Sequence, residues 1–120
     1  MSIECVLVVD DSPTDQHVIS SYLKKHGYRV ITANDCEQGI AVAREQQPDL
    51  ILMDVVMPGM NGFQATRRLK KDRRTGDIPV VIVSSKGEVT DKVWGMRQGA
   101  VGYLTKPVSE TDLMNKIREL

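Results

Sequence analysis

An alternation between two hydrophobic periods constrains this chain more than any other feature. Five short, mostly apolar runs recur: Cys5-Val6-Leu7-Val8-Val9, Arg29-Val30-Ile31, Leu50-Ile51-Leu52-Met53, Val80-Val81-Ile82-Val83 and Gly102-Tyr103-Leu104. The first, third and fourth are apolar throughout, the pattern of strands covered on both faces. Between the runs the period lengthens to that of a helix. Val18, Ile19, Tyr22 and Leu23 share one face, Ile40 and Ala43 a second, and Phe63, Thr66 and Leu69 a third. Strands separated by helices pair in parallel through right-handed crossovers. The expected fold is α/β: an open, doubly wound parallel sheet built from five βα units. Its ligand site should lie at the carboxyl ends of the strands.

Helix boundaries are signalled locally. Ser12-Pro13-Thr14-Asp15 supplies a cap residue, a proline at the first helical position and an acid in the first turn. Asp35 with Gln38, and Ser109 with Asp112, repeat the capping pattern. Gly27 and Gly99 stand where the first and fourth helices should stop. The fourth helix, expected over residues 90–98, carries Gly95 in its interior, a weak helix former.

Composition narrows the function classes. Lys plus Arg is 16 and Asp plus Glu is 16, so the formal net charge is zero. Balanced charge gives no general attraction to nucleic acid or to an anionic membrane. Two cysteines, Cys5 and Cys36, are too few for a disulfide framework and fit a reducing, cytoplasmic setting. No basic, apolar leader opens the chain, and its aliphatic runs are only strand-sized, too short to span a bilayer. The 120 residues suit a single domain, 1–120, with no output domain.

The chemistry-bearing residues stand at the predicted carboxyl edge. Strand one ends in Asp10-Asp11, strand three in Asp54, strand four in Ser84-Ser85, and strand five runs into Thr105-Lys106-Pro107. Three carboxylates at one point repel one another unless a cation sits among them. Hard oxygen ligands favour Mg²⁺, which takes one or two protein carboxylates and binds phosphate oxygens readily. Lys106 supplies the further positive charge that a phosphoryl group needs, and Ser84 a hydrogen-bond donor. No histidine or cysteine is placed to bind zinc, and neither GxxxxGK[ST] nor GxGxxG is present to hold a nucleotide. The phosphate must therefore arrive on another molecule, and a carboxylate is a competent acceptor.

Taken together, Val8-Val9-Asp10-Asp11-Ser12, Leu52-Met53-Asp54, Met57-Pro58-Gly59-Met60-Asn61-Gly62, Val83-Ser84-Ser85 and Lys106-Pro107 resemble the receiver domain of two-component response regulators. The resemblance runs the whole length of the chain. It implies a flavodoxin-like (βα)5 sheet of strand order 2-1-3-4-5. It implies Asp54 as phosphoacceptor, and Asp10, Asp11, Asp54 and the backbone carbonyl of Val56 as Mg²⁺ ligands. Ser84 and Lys106 become phosphoryl contacts, Tyr103 the rotating switch aromatic, and the bond before Pro107 cis. The implied partners are a sensor histidine kinase and an effector docking on the face of helix four, strand five and helix five. The implied assembly is a monomer or a weak, phosphorylation-dependent dimer. Residues 90–100, with 62–67, look more narrowly like the single-domain receivers of twitching-motility, type IV pilus chemosensory systems.

Two rivals accompany this reading. A phosphate sink would share the chemistry and bind no effector. An aspartyl-phosphate phosphatase typically carries a second aspartate two residues past its nucleophile, a position held here by Val56. Many receivers have a polar residue there. Val56 cannot orient a hydrolytic water and should make its approach drier. Lys86, two past Ser84, also departs from the common pattern. Among the remaining residues, Gly59 to Gly62 reads as a structural turn, His17 and His26 as solvated surface, and Cys5 and Cys36 as small buried hydrophobes. The cations at 67, 68, 70, 71, 73 and 74 read as a solvated helix end rather than a nucleic-acid surface. Trp94 is either half-buried core or an exposed contact on helix four.

Overall fold

A computed structural model describes residues 2–120. Five strands and five helices alternate: β1 (Cys5–Val9), α1 (Pro13–Lys25), β2 (Arg29–Ala33), α2 (Cys36–Gln46), β3 (Leu50–Met53), α3 (Gly62–Lys71), β4 (Val80–Ser84), α4 (Val89–Arg97), β5 (Gly102–Thr105) and α5 (Glu110–Arg118). All pairings are parallel, and the sheet order is β2-β1-β3-β4-β5. This is the flavodoxin-like order that the resemblance to receiver domains implies.

Strand alternation divides the core between two faces. Leu7, Val9, Ile51, Met53 and Val80 pack with Cys36, Ile40 and Ala43 of α2 and Ala65 and Leu69 of α3. Val6, Val8, Leu50, Leu52, Val81 and Val83 point the other way, onto Ile19 and Leu23 of α1 and Leu113, Met114 and Ile117 of α5. Every residue of β1, β3 and β4 is buried, which explains why those three runs carry no polar alternation. In α1, Val18 is exposed although it neighbours the buried Ile19, so the apolar stripe is narrower than the sequence suggests.

The caps form where the sequence places them. Ser12 Oγ accepts from the Asp15 N–H, Asp35 Oδ1 from Gln38 and Ser109 Oγ from Asp112. A reciprocal capping box that the sequence reading missed starts α3: Asn61 Oδ1 accepts from the Gln64 N–H, and Gln64 Oε1 accepts from the Asn61 N–H. Gly95 has a packing reason. A Cβ there would stand 2.8 Å from Ile82 Cδ1 and 3.2 Å from the Tyr103 ring, so glycine lets α4 lie directly on the β4–β5 surface.

Candidate functional site

The parallel pairing brings the ends of β1, β3, β4 and β5 to one edge. Asp10 follows β1 and is buried; its Oδ1 accepts from the Ser12 N–H at 2.9 Å, which fixes the carboxylate against the start of α1. Asp54 follows β3 and is only 6% exposed. Its Oδ1 accepts from the Val55 N–H at 2.9 Å. Asp11 is exposed at the mouth. One carboxylate oxygen from each of Asp10, Asp11 and Asp54 lies within 4.8 Å of the other two. An all-oxygen donor set of this kind, open on one side, fits a hard divalent cation that retains waters.

Lys106 enters from the end of β5. Its ammonium stands 2.8 Å from Asp10 Oδ2, 2.9 Å from Asp15 Oδ2 and 3.6 Å from Asp54 Oδ2. Burial alone would push this ammonium's pKa down. Hydrogen bonds to Asp10 and Asp15, and the charge of Asp54, outweigh it and hold the pKa above the ordinary lysine value. Asp54 shows the converse balance. Burial pushes its pKa up to about 6, the charges of Asp10 and Asp11 add to the rise, and Lys106 and the Val55 N–H oppose it. The site is thus short of positive charge in the metal-free protein.

Ser84 ends β4 with its side chain fully buried and its Oγ accepting from the Lys86 N–H at 3.2 Å. The Ser84 carbonyl accepts from the Lys106 N–H at 2.9 Å, so the β4 and β5 ends are joined at the site. The Tyr103 ring packs partly buried against Val55, Phe63, Ile82 and Ala100, and its hydroxyl donates to the Lys86 carbonyl. The Lys106–Pro107 bond is cis. Val56, two residues past Asp54, is 53% exposed. Lys86 and Ser85 are exposed as well.

Two contributors escaped the sequence reading. Local spacing gives Asp15 only a place in the first helical turn, yet it is a direct partner of Lys106. Gly62 reads as part of a turn, yet its N–H donates to the Val55 carbonyl and it packs on the Asp54 backbone, joining α3 to the acceptor loop. Their signal is one of contact across 91 residues in the first case and of close backbone approach in the second, and neither is written in local spacing.

Other residues divide. His17 is exposed, whereas His26 Nε2 lies 3.0 Å from Glu110 Oε2 and links the end of α1 to the start of α5 rather than standing free. Lys70 is also not simply solvated. Its ammonium donates to the Gly76 and Ile78 carbonyls, and burial lowers its pKa. Arg68 and Arg74 pair with Glu37 and Asp72. Cys5 and Cys36 are buried free thiols, and burial pushes the Cys36 pKa up to about 12. Trp94 is half exposed on α4, and Val93 and Met96 of the same helix are exposed as well. Among the described residues, no helix is long and apolar enough to cross a membrane.

A five-stranded parallel sheet of order 2-1-3-4-5 with an acidic cluster and a lysine at its carboxyl edge defines a class of signalling switch. The chain belongs to the response regulator receiver domain family, which matches residues 6–118. It is 55% identical over 112 residues to Protein PilH of Pseudomonas aeruginosa, covering 93% of each chain. Its fold superposes on the chemotaxis response regulator CheY4 of Vibrio cholerae with a TM-score of 0.91, at 30% identity and 98% coverage of each chain. It superposes on the receiver domain of the sensor histidine kinase PA1611 of P. aeruginosa, solved with a magnesium ion coordinated in its active-site cleft. That TM-score is 0.89, at 29% identity over 98% of this chain and 97% of the other. The chain also matches longer transcriptional regulators, about half of whose length it spans.

Proposed function

We propose that the chain is a cytoplasmic response regulator switched by phosphorylation of Asp54. The observation that carries this reading is the placement of a buried carboxylate within 3.6 Å of a lysine ammonium and in one cluster with two further carboxylates. Asp10, Asp11 and Asp54, with the Val56 carbonyl, would hold Mg²⁺, which supplies charge neutralisation for a transferring phosphoryl group. The Asp54 carboxylate attacks phosphorus, the bond to the donor's histidine nitrogen breaks, and an acyl phosphate forms. Lys106 pairs with the added negative charge, so the protein's contribution is positioning and electrostatics. Ser84 Oγ turns to donate to a phosphoryl oxygen, which frees the Lys86 N–H it now satisfies. Tyr103, whose hydroxyl is anchored on the same Lys86, then repacks toward the space Ser84 leaves.

The donor is a sensor histidine kinase, and the output surface is α4, β5 and α5. Val89, Val93, Trp94, Met96 and Val101 are each exposed on α4 and the turn into β5, and an effector docking there would cover them where a phosphate sink would leave them in water. No nucleic-acid or membrane role is proposed, and the assembly is a monomer or a weak dimer formed on phosphorylation. The likeness to Protein PilH supports a place in pilus or chemotaxis-like signalling, with twitching motility as the narrower reading. Phosphotransfer from autophosphorylated histidine kinases tests the assignment: label should pass to the parent and not to Asp54→Asn. Equal label on both would overturn it.

A further inference from the structure

The proposed chemistry requires Lys106 to approach the phosphoryl group on Asp54. In the resting protein its ammonium is nearer to two other carboxylates. One is Asp10, a member of the acidic cluster. The other is Asp15, which stands outside that cluster in the first turn of α1, 2.9 Å from the ammonium and against 3.6 Å for Asp54. We propose that Asp15 is a positioning residue: it holds Lys106 on the α1 side of the site until the negative charge on Asp54 grows large enough to draw the ammonium away.

The geometry around the ammonium supports this. The ammonium has three protons, and two are committed to Asp10 and Asp15. A charge-assisted N–H···O bond needs roughly 2.7–2.9 Å, so at 3.6 Å Asp54 is the weakest of the three resting partners, and Asp10 and Asp15 hold the ammonium. Asp15 is free to be left, because its side chain is 44% exposed and water replaces the lost partner. The N-cap of α1 does not depend on it, since Ser12 Oγ caps the helix and Asp15 contributes only its backbone N–H there. Beside the pair, Val18, Tyr22 and Val108 help line a cleft of about 180 Å³, which gives the lysine stem room to move. Asp15 thereby sets how much charge the site must acquire before it switches.

The inference rests on the receiver reading, and the test separates the two. Binding of beryllofluoride, a phosphoryl mimic, is measured with saturating Mg²⁺ in the parent, Asp15→Asn, Lys106→Ala and the double variant, with thermal melts to confirm folding. Failure of the parent to bind beryllofluoride at all would count against the receiver reading itself. Given parental binding, Asp15→Asn should bind about threefold tighter, the scale of one partly exposed ion pair. Unchanged or weaker binding in Asp15→Asn would overturn the proposal. Loss of any nearby negative charge could also favour an anion, and the double variant controls for that. In the Lys106→Ala background Asp15→Asn should give no gain. A gain of the same factor there would show a general field effect and overturn the route through Lys106.

Discussion

Gly62 lies against the Asp54 backbone so closely that a Cβ on it would stand 2.0 Å from the Asp54 carbonyl oxygen. The start of α3 is thereby pressed onto the loop that presents the acidic side chain, and the Gly62 N–H to Val55 carbonyl bond at 3.0 Å fixes the contact. Gly62→Ala must push backbone away from backbone, which no side-chain rotation relieves. The variant should lose at least about 2 kcal/mol of stability in chemical denaturation. Its Mg²⁺ affinity should fall as well, because Asp54 moves with the loop.

Asp54 also gives the metal-free protein a distinct pH dependence. Its folded pKa is about 6, above the 3.8 of an unperturbed aspartate, so between those values the folded state holds more protons than the unfolded state. Stability therefore falls as pH rises through that window. The loss across that window is on the order of 3 kcal/mol. Asp54→Asn removes this dependence and should be more stable than the parent at pH 7 without Mg²⁺. Thermal melts from pH 4 to 7 check it, and saturating Mg²⁺ should shrink the difference.

Much of this was legible in the sequence. The three unbroken apolar runs identify β1, β3 and β4, because only doubly covered strands lack polar alternation. Asp10, Asp11, Asp54, Ser84 and Lys106 could be brought together on paper, because a parallel sheet puts all its carboxyl ends on one edge. The Asp15–Lys106 pair was not legible. Which neighbour a flexible lysine chooses depends on the angle between α1 and the end of β5, and no periodicity encodes that. The exposure of Trp94 was likewise open, since α4 is short and interrupted by Gly95. His26 and Lys70 read as surface charge, and their partners come from segments distant in sequence or from loop carbonyls.

Trp94 reports on the proposed output face. It is half exposed on α4, while the acidic cluster lies at the ends of β1 and β3. Its fluorescence should respond more to beryllofluoride with Mg²⁺ than to Mg²⁺ alone, because only the phosphoryl mimic engages Ser84 and, through Lys86, Tyr103. A larger response to Mg²⁺ alone would contradict the coupling.

The lifetime of the aspartyl phosphate should depend on position 56. Val56, two residues past the acceptor, is exposed, and its isopropyl group cannot orient a water for in-line attack. Val56→Asn should therefore shorten the lifetime several-fold while changing phosphorylation less. Loading the protein with phosphodonor, removing the donor and following phosphate loss in both proteins gives the comparison.

Intact-protein mass spectrometry after incubation with acetyl phosphate and Mg²⁺ tests phosphorylation of Asp54 most directly. The parent should gain one phosphoryl group, fragmentation should place it on Asp54, and Asp54→Asn should gain none. A phosphoryl group on another residue, or the same gain in Asp54→Asn, would contradict the assignment of the acceptor and with it the switch built around it.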